Sequence, residues 1–264
     1  MAVQPPTQAP PQEPPPDPPP GQSARTLTIL EHLRELRNRL MWAAGALFLG
    51  VAVSLWPLTG WMIDFLGEPG RARVEDFELV LTEPLEYWTA YFRVSLLLGF
   101  AIAMPVIVYQ VLAFVGPGLT NRERRWLYPI VVGASLSFLA GCAFAYYVEL
   151  PPALGFLVGN TGDVRPLIRI RSYIDFVTRL IFMTGLVFEL PLVVMGLAKL
   201  GVVTSRKLLG WWRHAIVLAF VGAAIVTPSI DPVTQSLVAG PIIVLYFLGI
   251  ALARLVEGNT LSSR

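Results

Sequence analysis

A single cysteine in 264 residues, Cys142 within an apolar run, leaves no partner for an intramolecular disulfide, a redox pair or a thiolate zinc site. The two histidines, His32 and His214, stand far apart and without HExxH spacing, so neither a metal site nor a cofactor is expected. There is no GxSxG turn and no pair of intramembrane aspartates, which sets aside an enzyme. Charged residues make up only 14% of the chain and the formal net charge is +2. With no basic stripe interleaved with aromatics, no nucleic-acid partner is expected. Neither half of the chain repeats the motifs of the other, which argues against an inverted-repeat transporter.

What remains is apolar. Hydrophobic residues are 55% of the sequence and the mean hydropathy is +0.61, a membrane composition. The stretch Pro5 to Pro20 is mostly proline and holds no apolar segment of any size. Residues 1–26 therefore read as an extended, disordered cytoplasmic tail that is not a signal peptide. Crossing about 30 Å of hydrocarbon takes roughly 20 apolar residues. Six runs qualify: Leu40–Leu58, Trp88–Val115, Trp126–Val148, Phe176–Leu200, Trp211–Val226 and Val233–Leu255, the fifth being short. They place a six-span domain over 27–258, followed by a short cytoplasmic tail, 259–264. Prolines 105, 129, 191 and 241 fall in or beside these runs and predict kinked helices in a curved, concave, all-α assembly.

An even number of spans puts both termini on one side. Arg25, Arg34, Arg37, Arg39, Arg122, Arg124, Arg125, Lys199, Arg206, Lys207, Arg213, Arg254 and Arg264 fall on that side. Arg71, Arg73, Arg93, Arg165, Arg169, Arg171 and Arg179 fall on the other. The positive-inside rule then makes both termini cytoplasmic. The first outer loop is acidic, whereas the second, with Arg165, Arg169 and Arg171, runs against the rule.

Glu189 is the only charge in the run from Leu180 to Met195. A carboxylate at the centre of a membrane helix costs roughly 2.5–3.5 kcal/mol, so it must face helices, a cavity or a polar partner. Pro191, two residues on, removes a backbone donor and kinks the helix near the same depth. Its plain structural reading is an interhelical hydrogen bond, and no second intramembrane charge is read beside it. Thr28-Ile-Leu-Glu31 reads as a capping box opening the first helix, on which Glu35 can pair with Arg39 one turn later. Thr120-Asn-Arg-Glu123 is a second capping box after Pro117-Gly118. Glu35 and Glu123 share a location, the cytoplasmic surface near the start of a span, where two carboxylates suit a dicationic, guanidinium-bearing ligand. Asp231-Pro232 is a turn, bracketed by Thr227 and Gln235, and an amide at the start of an apolar span is expected to bond across helices.

The string His32-Leu-Arg-Glu-Leu-Arg-Asn-Arg39 resembles the opening of TatC, the multi-spanning subunit of twin-arginine protein translocation. In order there follow Thr82-Glu-Pro-Leu-Glu86, Pro105-Val-Ile-Val-Tyr-Gln110, Phe114-Val-Gly-Pro-Gly-Leu119, Glu123-Arg-Arg125, Phe144-Ala-Tyr-Tyr147, Gly185-Leu-Val-Phe-Glu-Leu-Pro191 and Thr227-Pro-Ser with Asp231 and Gln235. The resemblance implies a glove-like six-span receptor of the cell (inner or plasma) membrane. Such a receptor binds twin-arginine signal peptides of folded cargo and works with TatA- and TatB-type single-span proteins, membrane lipid and other copies of itself, driven by the proton-motive force. It assigns signal-peptide binding to Glu35, Glu123, Arg37 and Phe114, an intramembrane polar role to Glu189, and partner binding to Thr227 and Gln235. The alternative that the residues leave open is a proton-coupled secondary transporter with Glu189 as its titrating group.

Overall fold

A computed structural model describes residues 22–73, 77–115, 127–159, 167–227 and 232–261. The helices are α1 (Gln22–Leu55), α2 (Thr59–Arg71), α3 (Glu86–Val115), α4 (Leu127–Phe144), α5 (Leu150–Gly159), α6 (Ile170–Val187), α7 (Leu190–Lys199), α8 (Ser205–Gly210), α9 (Trp212–Val226) and α10 (Pro232–Leu261). A π-helical turn, Ala145–Glu149, carries α4 into α5 without a break. Five helical stretches are long and apolar enough to cross a membrane: Leu30–Leu55, Glu86–Phe114, Tyr128–Leu157, Ile170–Lys199 and Pro232–Glu257. The sixth, α9, has 15 residues and reaches only about 22 Å, the short span read from the sequence. Large apolar side chains such as Phe48, Leu49, Val132, Leu136, Val217 and Leu218 face outward, which suits a lipid solvent and not water. The fold is an all-helical, multi-span membrane protein.

Two sequence expectations need correction. Helix α1 starts at Gln22, ahead of the capping box at Thr28–Glu31, because nothing after Pro20 obstructs helical backbone. The first outer loop is not simply a loop. Ile63 and Leu66, three residues apart, bury one face of α2, with Pro69 inside the helix. Tyrosines pin that helix down: Tyr146 and Tyr173 donate to the carbonyls of Phe65 and Leu66 at 2.8 and 2.7 Å. At the same end a two-residue parallel pairing, Leu79 with Ile168 and Val80 with Arg169, ties together the segments that lead into α3 and α6. Glu86 opens α3 by accepting from the Thr82 amide and hydroxyl at 2.9 and 2.7 Å.

Helices α1 and α3 make the most extensive packing in the molecule. They approach closely because Gly50 and Gly99 face each other; a Cβ on Gly99 would lie 2.6 Å from the Val51 amide nitrogen. One turn away, hydroxyls tie α3 to α1 and to the first residue of α2. Ser54 Oγ donates to the Ser95 carbonyl at 2.9 Å, and Thr59 Oγ1 lies 2.8 Å from Ser95 Oγ. Small residues and hydroxyl bridges are how helices associate where burial of apolar surface gives no preference over lipid.

The span Ile170–Lys199 is broken at Phe188–Glu189, just ahead of Pro191 as the sequence predicts. The break is also a change of partners: α6 packs on α3 and α4, whereas α7 packs chiefly on α10. The Phe188 carbonyl, at the break, accepts from Ser137 Oγ of α4 at 2.8 Å. Close approach of Gly141 and Gly185 brings α4 against α6 just before this point; a Cβ on Gly141 would meet the Gly185 Cα at 2.8 Å.

Candidate functional site

The middle third of α1 lies against the C-terminal end of α3 and opens a cleft of about 500 Å³. It is lined by Glu31, Arg34, Glu35, Asn38, Arg39, Trp42 and Gln110. The spacing of the α1 residues, three or four apart, places them on one helical face. Glu35 is half-buried. Its Oε1 accepts from Arg39 Nε at 3.0 Å and from Nη2 at 2.5 Å, the i,i+4 pair read from the sequence. Arg39 Nη1 also reaches Gln110 Oε1, 3.5 Å away on α3. The second Glu35 oxygen, Oε2, makes no hydrogen bond among the described residues. On the next turn His32 stacks on Phe114, ring centroids 4.5 Å apart and 20° from parallel, so Phe114 closes the α3 side of the same region. The cleft thus offers a carboxylate with a free oxygen, an amide, an indole and balanced charge from two acids and two arginines. A guanidinium fits that set, since it can share Glu35 with Arg39 and lay its plane on the Trp42 indole, which is 71% exposed.

The other expected site residues stand elsewhere. Arg37 is exposed; two positions from Glu35 is about 200° around α1, away from the cleft. Glu123 and Asp231 lie outside the described residues. Glu189 sits at the break between α6 and α7, and its Oε1 is buried without a hydrogen-bond partner among the described residues. Thr227 caps the end of α9, where its hydroxyl donates to the Ala223 carbonyl at 2.9 Å. Gln235 of α10 donates to the Phe220 carbonyl of α9 at 2.9 Å, the cross-helix amide bond expected of it.

Sequence reasoning missed Gln110 and Trp42 as cleft residues. Gln110 carried a signal, an amide near the end of an apolar run, but nothing in the sequence said that its partner would be Arg39, 71 positions earlier.

The expectation of no second intramembrane charge is overturned. Glu149 is 1% exposed inside the span Tyr128–Leu157. The apolar run read from the sequence stops at Val148, one residue short, whereas the π-helical turn carries the helix on, with Pro151 and Pro152 in the first turn of α5. Thr184 Oγ1 of α6 donates to Glu149 Oε2 at 2.7 Å. The other oxygen has no partner among the described residues, and Glu149 lines a cavity about the size of one water, walled otherwise by α6, α9 and α10. Thr184→Val, which keeps shape and removes this donor, is expected to lower stability by about 1–3 kcal/mol. Thermal unfolding of the detergent-solubilised protein measures it, with Thr184→Ser close to the parent. Arg93 and Arg179, counted with an outer side although the runs Trp88–Val115 and Phe176–Leu200 already held them, lie inside the spans beginning at Glu86 and Ile170.

Comparison with known proteins bears on most of the chain. The family model for TatC, the Sec-independent protein translocase protein, matches residues 31–241. The Sec-independent protein translocase protein TatC of Synechocystis sp. is 40% identical over 233 residues, which cover 87% of this chain and 89% of that protein. The chloroplastic TATC of Arabidopsis thaliana is 41% identical over 235 residues, 88% of this chain and 67% of the relative. A solved structure, "Crystal Structure of Twin Arginine Translocase Receptor- TatC", superposes with a TM-score of 0.78 at 36% identity, covering 85% of this chain and 99% of the other. A second structure of that receptor, in DDM, gives 0.78 at 37% identity.

Proposed function

This chain belongs to the TatC family of Sec-independent protein translocase subunits, and from that premise we propose that the Glu35 cleft is where it receives the paired arginines of a signal peptide. The chain is a multi-span membrane protein and the translocase receptor of the twin-arginine pathway, a transport component and not an enzyme. Family membership decides for the receptor over the proton-coupled transporter.

The observation that carries the docking reading is the half-buried Glu35 carboxylate, with one oxygen on Arg39 and one open to the cleft. An incoming guanidinium takes Oε2, or displaces Arg39 and takes both oxygens bidentately. Glu123, which shares the cytoplasmic surface in the sequence reading, takes the second arginine. Phe114 and Trp42 flank the peptide, and Arg37, on the far side of α1, contributes through the basic surface and not through the cleft. Lysines substitute poorly because an ammonium lacks the planar fork.

The termini are cytoplasmic, the membrane is the cell's inner or plasma membrane, and the cargo is folded protein moved by the proton-motive force. Gln235, on α10, lies on the surface for TatA- and TatB-type single-span partners, and Thr227, only 4% exposed, supports that surface by closing the end of α9. The test is complementation. In cells deleted for their own subunit, this chain is expected to restore export of a folded reporter carrying a twin-arginine signal, to fail with a twin-lysine signal, and to stop when an uncoupler is added. Export that ignores the arginines overturns the reading.

Glu189 acts after docking. Its carboxylate sits where α6 gives way to α7 and where packing partners change, a point able to hinge. Glu189→Leu is expected to cut export of the reporter about tenfold or more while peptide binding stays at the parental level, the result of uncoupling two sites that share no contact. Quantitative export assays beside binding assays separate the two. Parental export by Glu189→Leu removes the role.

A further inference from the structure

The geometry points to a binding site for an anionic phospholipid between α1, α3 and α6, at the end of the molecule away from the N-terminus of α1. A pocket of about 410 Å³ there is lined by Arg93, Thr178 and Arg179 and by apolar Leu47, Leu97, Phe100 and Phe182 among others. Arg93 and Arg179 begin on the same side, since the strand pairing of Leu79 with Ile168 joins the segments leading into their two helices. Arg93 lies seven residues into its span and Arg179 nine, roughly 10–14 Å below the helix starts. Side chains on a helix lean toward its N-terminus, and long basic ones snorkel, so both guanidiniums rise toward the headgroup region of that leaflet.

The charge there is unbalanced. Arg93 pairs with Asp175. Arg171 and Arg179 both stand close enough to Arg93 to repel it. Arg179 is exposed and has no carboxylate partner among the described residues. Three guanidiniums thus share one carboxylate inside or beside hydrocarbon, where unpaired charge is costly and mostly finds a partner. A headgroup phosphate supplies the missing anion, bound by the guanidinium fork. The apolar wall formed by Leu47, Leu97, Phe100 and Phe182 supplies the other half of an amphipathic ligand, a bed for one acyl chain. A free phosphate has no use for that wall, and a neutral lipid leaves the positive charge in place. This site also gives Arg171, one of the arginines that set the second outer segment against the positive-inside rule, a use.

The experiment is native mass spectrometry of the purified full chain in detergent, titrated separately with phosphatidylglycerol and phosphatidylcholine. Phosphatidylglycerol is expected to be retained about tenfold more strongly, the worth of one charge-assisted bond. Arg179→Gln is expected to bring it down to the phosphatidylcholine level, and Arg179→Lys to fall between. Arg254→Gln, at the other end of α10, keeps the preference. An unchanged unfolding midpoint for Arg179→Gln shows that the loss is not one of fold. Equal retention of the two lipids, an undiminished preference in Arg179→Gln, or an equal loss in Arg254→Gln overturns the proposal. So does exclusion of phosphatidylglycerol from the chain when it is isolated with a single-span partner, which would assign the arginines to a partner's carboxylate.

Discussion

Glu35→Ala is expected to weaken binding of a twin-arginine peptide to the purified chain by at least about tenfold, since a hydrogen bond to a charged group is worth about 1.5–3 kcal/mol. Charge in the cleft adds to the loss. Glu31 and Glu35 balance Arg34 and Arg39 in the parent; removing Glu35 leaves a net positive cleft facing a dication. Arg39→Ala is the informative partner. It breaks the same 3.0 Å contact from the other side, yet it frees both Glu35 oxygens and leaves the cleft net negative. If the ion pair matters only for holding α1 against α3, the two variants fall together. If Glu35 is the docking group, Arg39→Ala binds as well as the parent or better. Fluorescence anisotropy of a labelled peptide reads both, and both effects shrink at high salt, because the cleft is open to solvent.

Gly99→Leu carries the largest expected structural effect. Any Cβ at this position would lie 2.6 Å from the Val51 nitrogen and 2.8 Å from its Cα, which are backbone atoms on α1 and cannot rotate away. The helices must separate. The Ser54–Ser95–Thr59 bridges one turn below are then stretched as well. Overpacking of this kind, with the polar bridges added, is expected to cost about 3 kcal/mol. Gly45→Leu, on the facing helix α1 with nothing within 4 Å of its Cβ, is the control and is expected to be neutral. Thermal unfolding in detergent compares them. Because Glu35 rides on α1 and Gln110 on α3, the Gly99 variant is also expected to lose peptide binding, which ties the packing to the site.

Spans, the short α9, the Glu35–Arg39 pair and the break before Pro191 were legible in the sequence because each is local. Hydropathy runs, an i,i+4 spacing and a missing backbone donor all act within a few residues. The features that escaped are those made by distant segments. Gly50 and Gly99 look ordinary until α1 meets α3. Gln110 becomes a cleft residue only by facing Arg39. Glu149 was passed over because the third apolar run stops at Val148, one residue short of it, and only the continuation through a π-helical turn, with Thr184 placed opposite, sets a carboxylate inside the span. Arg93 and Arg179 fall inside the runs Trp88–Val115 and Phe176–Leu200 yet were counted with the outer side, because a count of charges has no term for an ion pair at depth. In each case the sequence holds the residue and the tertiary contact supplies its meaning.

The most direct test of the docking site is photo-crosslinking from the cleft itself. With a photoreactive residue in place of Trp42, beside Glu35 and clear of the helix contacts, a twin-arginine signal peptide is expected to be captured in native membranes. Capture is expected to be competed away by excess twin-arginine peptide but not by its twin-lysine counterpart. Capture that both peptides compete equally, or no capture from Trp42 while another surface of the chain is labelled, contradicts the assignment of Glu35 as the arginine receptor.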